Sequence, residues 1–283
     1  MTDEFRIGLD LHSDQVLVAK VSHLLGRPEI VSLSAIDSPR VAETIGPDTK
    51  PVISMPDDEA LVKTIHLPEN RSQTLRDRVF FELAQSILEP EERFRFACIE
   101  TGNRHQIGLI FRNDLIAARA RRIGLPLPDF HILPSADLRS VALAHAYKYF
   151  CKSEPGDLIA LALVTANLVS IALLYHGRIV ALGNSSIGAS SQSEGSFKTV
   201  AIALKTLINF KLAALHDDGI TIPLSALLVL GDKIGESERA VLQSFFSARV
   251  APCSPDQVVE ESVSRSGLDN SSRFLIPLGL TVN

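Results

Sequence analysis

The chain has 283 residues, 46% of them hydrophobic, and a formal net charge of −5. This length allows a large core and two subdomains, and the negative charge without a basic patch argues against a nucleic-acid partner. The three cysteines, Cys98, Cys151 and Cys253, are far apart and form no CxxC pair, so no metal site is predicted and a reducing compartment is favoured. The first residues lack the order of a signal peptide.

Residues 6–21 (RIGLDLHSDQVLVAKV) predict a β-hairpin, because aliphatic and β-branched residues stand on both sides of a polar turn at 12–15. Residues 158–179 have the same outline, with a break at 165–167. A glycine (Gly26 or Gly177) and another short apolar stretch follow each copy. The repeat predicts two similar lobes with a cleft between them.

The second copy also raises the question of a membrane span. Residues 158–175 are uncharged and long enough to cross a bilayer. However, Thr165, Asn167 and Ser170 interrupt the stretch, and its Ala, Val and Ile content suits buried strands equally well. Two buried strands with Asn167 in the turn explain the repeat, and this interpretation is favoured.

The middle of the first lobe predicts an inserted α+β unit. In chain order its elements are a strand at 61–67, a helix at 72–88 that Ser72 caps, two strands at 94–100 and 106–111, and a second helix at 113–122. Gly124 stands where a glycine commonly ends a helix. A short strand at 130–133 follows, and then a helix at 136–149 that Ser135 caps. We therefore predict a first lobe at 1–58 and 125–155, an inserted subdomain at 59–124 and a second lobe at 156–283.

The order of these elements resembles a known family across nearly the whole chain. Residues 7–11 (IGLDL) are similar to its first phosphate strand, residues 53–68 to the segment leading into its inserted subdomain, and residues 225–235 to its adenosine loop. Two further segments match in the same order: the helix at 73–88 with the SILEPEERFRF that follows, and the terminal PLGLTVN. The family is that of PilM, of type IV pilus assembly, and the cytoplasmic domain of GspL, of type II secretion; FtsA is a more distant relative.

The resemblance implies an α/β protein with the actin-like ATPase fold, which is ribonuclease H-like. Two duplicated lobes carry an inserted α+β subdomain in the first lobe. Members that bind ATP have a second insertion that encloses the adenine. Here only the loop 183–196 stands at that place, so the second-lobe insertion is expected to be reduced or absent.

The nucleotide elements depart from the family pattern. Asp10 stands where the family holds a metal through water, but His12 replaces a glycine that lets backbone N–H groups approach phosphate. Ser13 follows in the same turn. The adenosine loop keeps Gly231 and Gly235. We predict a vestigial nucleotide cleft of Asp10, His12, Ser13, Gly231 and Gly235, with no cofactor, no metal and no catalysis.

Two further departures point the same way. In the second hairpin, Leu163 and Thr165 occupy the positions of the family's acid and glycine, which leaves no evident group to position an attacking water. Asp14, in the first hairpin, would repel a triphosphate.

Several charged residues have simpler interpretations. Asp10 is equally an acid at the end of a strand, and His12 an exposed turn residue. The pairs Asp57-Asp58 and Glu91-Glu92 are interpreted as solvated turn carboxylates. Arg119, Arg121 and Arg122 are interpreted as cations that complement a helix dipole rather than as a site for an acidic partner.

The resemblance implies a cytoplasmic, non-catalytic scaffold, peripheral to the inner membrane through a protein partner and acting with other pilus or secretion platform proteins. In the family the partner is the short N-terminal cytoplasmic segment of a bitopic, PilN-like membrane protein, which docks in a groove between the first lobe and its inserted subdomain. An extended peptide can bind there through backbone hydrogen bonds. Two alternatives stay open: an assembly switch that binds Mg-ATP, and a membrane-tethered filament former, which the absence of an amphipathic tail disfavours.

Overall fold

The structure is a computed structural model, and it describes residues 5–12, 14–24, 27–46, 49–66, 74–102, 105–127, 133–152, 157–188, 197–232 and 234–282. The strands are β1 (Phe5–His12), β2 (Gln15–Leu24), β3 (Arg27–Asp37), β4 (Val52–Met55), β5 (Ala60–His66), β6 (Phe94–Glu100), β7 (His105–Arg112), β8 (Ser135–Leu138), β9 (Leu158–Val164), β10 (Leu168–Tyr175), β11 (Arg178–Ser186), β12 (Ala226–Leu230) and β13 (Arg249–Pro252). The α-helices are α1 (Val41–Ile45), α2 (Leu75–Ala84), α3 (Asn113–Ile123), α4 (Arg139–Phe150), α5 (Phe197–Asp217), α6 (Glu236–Phe245), α7 (Gln257–Arg265) and α8 (Leu275–Leu280).

The contacts of the chain divide it into two units. The first comprises Met1–Pro56, Arg112–Ser153 and Ser254–Asn283, and the second comprises Asp57–Phe111 and Glu154–Cys253. The division differs from the predicted lobes in three places. It groups Asp57–Phe111, which contains most of the predicted insertion, with the second lobe, and it assigns α3 and the chain from Ser254 onward to the first unit. The predicted lobe boundaries themselves stay a prediction.

The first unit is built on a five-stranded sheet in the order β3-β2-β1-β4-β8. Strands β1, β2 and β3 form an antiparallel meander, whereas β1, β4 and β8 run parallel. Helix α8 lies on β1, β2 and β4 and also packs against α4. Gly8 permits this contact, because a Cβ on Gly8 would overlap the carbonyl oxygen of Pro277.

The second unit contains two sheets. One has the order β11-β10-β9-β12-β13, and the other the order β5-β7-β6. Helix α5 packs on β10 and β11 through Val200, Leu204 and Ile208. Helix α2 packs on β5 and β6, with Val79 and Leu83 in a small separate core.

The doubtful stretch 158–175 forms the strands β9 and β10, so the two-strand interpretation is confirmed. Within the described residues, α5 is the one helix whose length and mean hydropathy would allow it to cross a membrane.

Two predicted helix boundaries are wrong. Residues 135–138 are strand β8, not the start of a helix, because their backbone pairs in parallel with β4, and α4 begins only at Arg139. Helix α2 begins at Leu75 and ends at Ala84, with Thr74 as its N-cap accepting a hydrogen bond from the backbone N–H of Asp77 at 3.1 Å. Ser72 and most of the predicted strand 130–133 lie outside the described residues.

Candidate functional site

Asp10 lies at the carboxyl end of β1, in a row of polar residues that crosses three parallel strands. Its neighbour on β4 is Ser54, and Ser54 pairs in turn with Asp137 on β8. The carboxyl ends of parallel strands are where α/β sheets bind their ligands. The row therefore occupies the position at which the first unit would hold a phosphate or a metal ion.

Both carboxylate oxygens of Asp10 have partners inside the first unit. Arg139, the first residue of α4, donates from Nη2 to Oδ2 at 3.0 Å, and the hydroxyl of Ser54 donates to Oδ1. The Nη2 atom of Arg119 lies 3.8 Å from Oδ1. Asp10 is fully buried, so a network of hydrogen bonds and two cations replaces water around its charge.

The interpretation of Arg119 as a cation that complements the dipole at a helix end is wrong, because only Arg121 and Arg122 lie in the last turn of α3. Its side chain is buried, and Nε donates to the backbone oxygen of Ser54 at 3.1 Å. A second hydrogen bond from Nη2 reaches the carbonyl of Leu11 at 3.5 Å. Arg121 and Arg122 lie exposed in the last turn of α3, as predicted.

This arrangement does not fit a hydrated Mg²⁺ ion. A carboxylate that holds such an ion through water needs accessible oxygen lone pairs and no competing cation. Asp10 offers neither, because Arg139 and Ser54 bind its two oxygens and the side chain is closed to solvent.

The other predicted residue described in the first unit is His12, which ends β1 and pairs with Gln15 across the turn. It is half-buried, and the adjacent Asp14 is exposed. Ser13 lies outside the described residues.

The second hairpin is closed by its own hydrogen bonds. The backbone N–H and the hydroxyl of Thr165 both donate to the carbonyl of Leu168, at 2.9 and 3.1 Å. The carbonyl of Asn167 accepts from the N–H of Ile187 at 2.8 Å, and Leu163 is buried. These residues stabilise a turn and present no acid.

Gly231 and Gly235 both have structural roles in the second unit. A Cβ on Gly231 would lie 2.7 Å from the carbonyl oxygen of Val164, so a larger residue would push β12 from β9. Gly235 is the N-cap of α6, and its N–H donates to Oε2 of Glu238 at 2.9 Å. Hydrogen bonds from the N–H of Glu238 itself, from Ser237 and from Gly235 hold the pKa of the Glu238 carboxyl below its ordinary value. The helix terminus, a common place for an anion, thus holds a carboxylate of its own.

Asp10 and His12 belong to the first unit, and Gly231 and Gly235 to the second. Their membership of a single nucleotide cleft therefore stays a prediction, as does the absence of a cofactor. No sequence pattern reveals Ser54, Asp137 and Arg139, which surround Asp10 or continue its row.

One of the acidic pairs is not the solvated turn that was predicted. Asp57 is buried, and its backbone oxygen accepts a hydrogen bond from Nδ2 of Asn184 at 2.7 Å. Its neighbour Asp58 is exposed, and so are Glu91 and Glu92.

Comparison with solved structures identifies the fold. A PilM-PilN type IV pilus biogenesis complex contains a chain that superimposes with a TM-score of 0.65 at 14% identity, over 98% of this chain and 97% of that one. The chain has the actin-like ATPase fold. A Bacteroides thetaiotaomicron protein of this fold and unknown function matches with a TM-score of 0.51 at 11% identity, over 93% and 96% of the two chains.

The cytoplasmic domain of EpsL, of the Vibrio cholerae type II secretion system, matches with a TM-score of 0.45 at 10% identity, over 94% and 96% of the chains. No family model matches the sequence. No curated protein matches it either. The predicted fold class and the resemblance to a PilM-like fold are confirmed.

Proposed function

We propose that the protein is a non-catalytic scaffold of a type IV pilus or type II secretion assembly platform, held at the cytoplasmic face of the inner membrane by a protein partner. The observation that carries this proposal is the buried Asp10, whose oxygens bind Arg139 and Ser54 rather than facing solvent. An acid bound in this way supports the fold and is withdrawn from nucleotide chemistry.

We assign the partner as the short N-terminal cytoplasmic segment of a PilN-like membrane protein, and its docking surface as the inserted α+β subdomain. The similarity in fold to PilM in a PilM-PilN complex supports this assignment. Strand β5 forms an edge of the three-stranded sheet, and its Leu61 is 49% exposed. An edge strand offers unpaired backbone groups to an extended peptide, and an apolar side chain beside it adds specificity.

The binding test is a titration of the full chain with a synthetic peptide copied from the N-terminal segment of a candidate PilN-like protein. Leu61→Asp is expected to weaken binding about tenfold, which corresponds to about 1.4 kcal/mol. Val31→Asp is the matched control, because Val31 is also 49% exposed and lies on the edge strand β3 of the other unit. No binding by the unaltered chain, or equal losses in the two variants, would overturn the docking assignment.

The alternative function is an assembly switch that binds Mg-ATP through Asp10, Ser13, Gly231 and Gly235. One observation favours it: Asp10 and Asp137 lie at the carboxyl ends of strands that belong to the same parallel set. The alternative requires Arg139 to leave Asp10 when ATP binds.

Thermal unfolding with and without Mg-ATP distinguishes the two functions. A ligand at 100 times its dissociation constant adds about 2.7 kcal/mol to folding stability, so binding at Asp10 would raise the melting temperature. At millimolar ATP we expect no rise that depends on Asp10. A saturable, magnesium-dependent rise that Asp10→Ala abolishes would replace the scaffold proposal with the switch.

A further inference from the structure

A cavity of about 650 Å³ lies at the amino-terminal ends of β1, β4 and β8, within the first unit. Its wall includes Arg6 from β1, Lys20 from β2 and Lys50 from the segment before β4. Its volume is in the range of small-molecule sites, which is roughly 300–1,000 Å³.

The charge of this cavity is opposite to that of the whole chain. Within the part of the chain that the structure describes, three cationic side chains and no carboxylate line it, although the chain carries a net charge of −5. Among the described residues, neither Lys20 nor Lys50 has a carboxylate partner. The Nζ atom of Lys20 lies 4.3 Å from the ring centroid of Phe5, and this cation–π contact holds it at the cavity wall.

The remaining lining residues indicate the kind of anion. Ser135 supplies an exposed hydroxyl that can donate to an anionic oxygen, whereas the hydroxyl of Thr49 already donates to the carbonyl of Ile45. Phe5, which is 44% exposed, and the half-buried Val52 contribute apolar surface. Lysine binds phosphate as a point charge, so Lys20 and Lys50 match a phosphate and the apolar surface matches an attached organic group.

We propose that this cavity binds the phosphate group of an organic phosphate, which is either a free metabolite or the headgroup of an anionic phospholipid. The site is separate from the polar row around Asp10. Arg6 and Asp10 are four residues apart on the same strand, roughly 13 Å, at its opposite ends. The proposal uses none of the residues assigned to the nucleotide position and does not depend on the scaffold function.

The soluble arm of the test is a calorimetric titration of the full chain with phenyl phosphate, a simple phosphate ester with an apolar group. The vesicle arm is flotation with phosphatidylglycerol in phosphatidylcholine, with pure phosphatidylcholine as the reference. Binding in the first arm alone indicates a free metabolite, and binding in the second alone indicates a lipid headgroup; either result supports the site. Failure of the unaltered chain to bind in both arms overturns it.

Variants establish whether the cavity is responsible. Lys20→Gln combined with Lys50→Gln is expected to weaken binding at least about tenfold and to reduce its salt dependence. Lys50→Gln alone should weaken binding less, and it keeps the test valid if the double variant folds poorly, since Lys50 is exposed. Lys205→Gln, at an exposed site on α5, should bind like the unaltered chain. Equal weakening by Lys205→Gln would show nonspecific attraction and overturn the proposal.

The same variants clarify the nucleotide experiment, because ATP is itself an organic phosphate. Weak ATP binding that disappears in the Lys20 and Lys50 double variant would occur at this cavity and support the proposal. ATP binding that survives in the double variant and disappears in Asp10→Ala would occur at the carboxyl end of the sheet. If phenyl phosphate binding also survives in the double variant and disappears in Asp10→Ala, the proposed cavity is excluded.

Discussion

The Nη2 atom of Arg139 lies 3.0 Å from Oδ2 of Asp10, so the acid near the end of β1 forms an ion pair with the helix that follows β8. The pair is enclosed, with 16% exposure for the arginine side chain and none for the aspartate. Removing one member of such a pair leaves an uncompensated buried charge. The loss of folding free energy from that charge exceeds the stabilisation that the intact pair provides.

Asp10→Asn is therefore expected to lower the free energy of unfolding by about 3 kcal/mol, because Arg139 and Arg119 would lose their carboxylate. Urea denaturation measures this. Asp114→Asn is the matched control: Asp114 pairs with Arg112 at 2.9 Å on the surface, and the change should cost less than about 1 kcal/mol. A similar small loss at Asp10 would contradict the buried network.

Replacement of both members gives a second test of this pair. Asp10→Leu combined with Arg139→Met removes the two charges together, so the double variant should be more stable than the sum of the single losses predicts. Additive losses would show that Asp10 and Arg139 do not interact.

Gly8→Ala tests the packing of α8 on β1. A Cβ would overlap the carbonyl of Pro277 and lie 2.9 Å from Cβ of Leu280, so α8 must move outward. We expect a loss of about 2 kcal/mol in unfolding free energy, typical of overpacking. Gly235→Ala should be much milder, because its φ of −88° suits any residue and its near neighbour is the movable end of Glu238. Equal losses would contradict the close contact.

The sequence was sufficient for the parts of the fold that local pattern determines. Alternating apolar residues and a polar turn predicted β1 and β2, and the repeat of that outline predicted β9 and β10. The order of the elements then led to the actin-like fold, which does not depend on close sequence identity.

The sequence was insufficient where distant residues determine the structure. The residues of β8 were interpreted as the cap and first turn of a helix, since their strand conformation comes from pairing with β4, more than 80 positions earlier in the chain. Asp10 was identified as a site residue, but Arg139 lies 129 positions away, and no local spacing connects the two. The pairing of the Asp10 carboxylate with Arg139 could therefore be found only from the structure.

His105 connects the three-stranded sheet to the rest of the second unit. It lies buried on β7, with Nε2 3.1 Å from the carbonyl oxygen of Val180 and Nδ1 2.9 Å from Oδ2 of Asp218. His105→Leu would remove the polar contacts with the Val180 carbonyl and with the Asp218 carboxylate. We expect the free energy of unfolding to fall by about 2 kcal/mol and hydrogen exchange to become faster in β5 and β7.

Hydrogen exchange followed by mass spectrometry measures this effect by segment. His216→Leu is the control, because His216 is an exposed residue near the end of α5 and should leave exchange in β7 unchanged. Unchanged exchange in His105→Leu would show that the imidazole does not hold the small sheet.

The pH dependence of stability should be governed in part by His145 on α4. Burial, with a smaller contribution from the nearby Lys148, lowers the pKa of His145 below its ordinary value of about 6.5. The unfolded chain therefore binds a proton more readily than the folded chain, so this residue destabilises the fold as pH falls through about 6.5.

Urea denaturation of His145→Gln should show a smaller loss of stability between about pH 7.5 and pH 5.5 than the unaltered chain shows. His216→Gln, at an exposed site at the end of α5, should leave the loss unchanged. A His145 variant with the pH dependence of the unaltered chain would assign the effect to other groups.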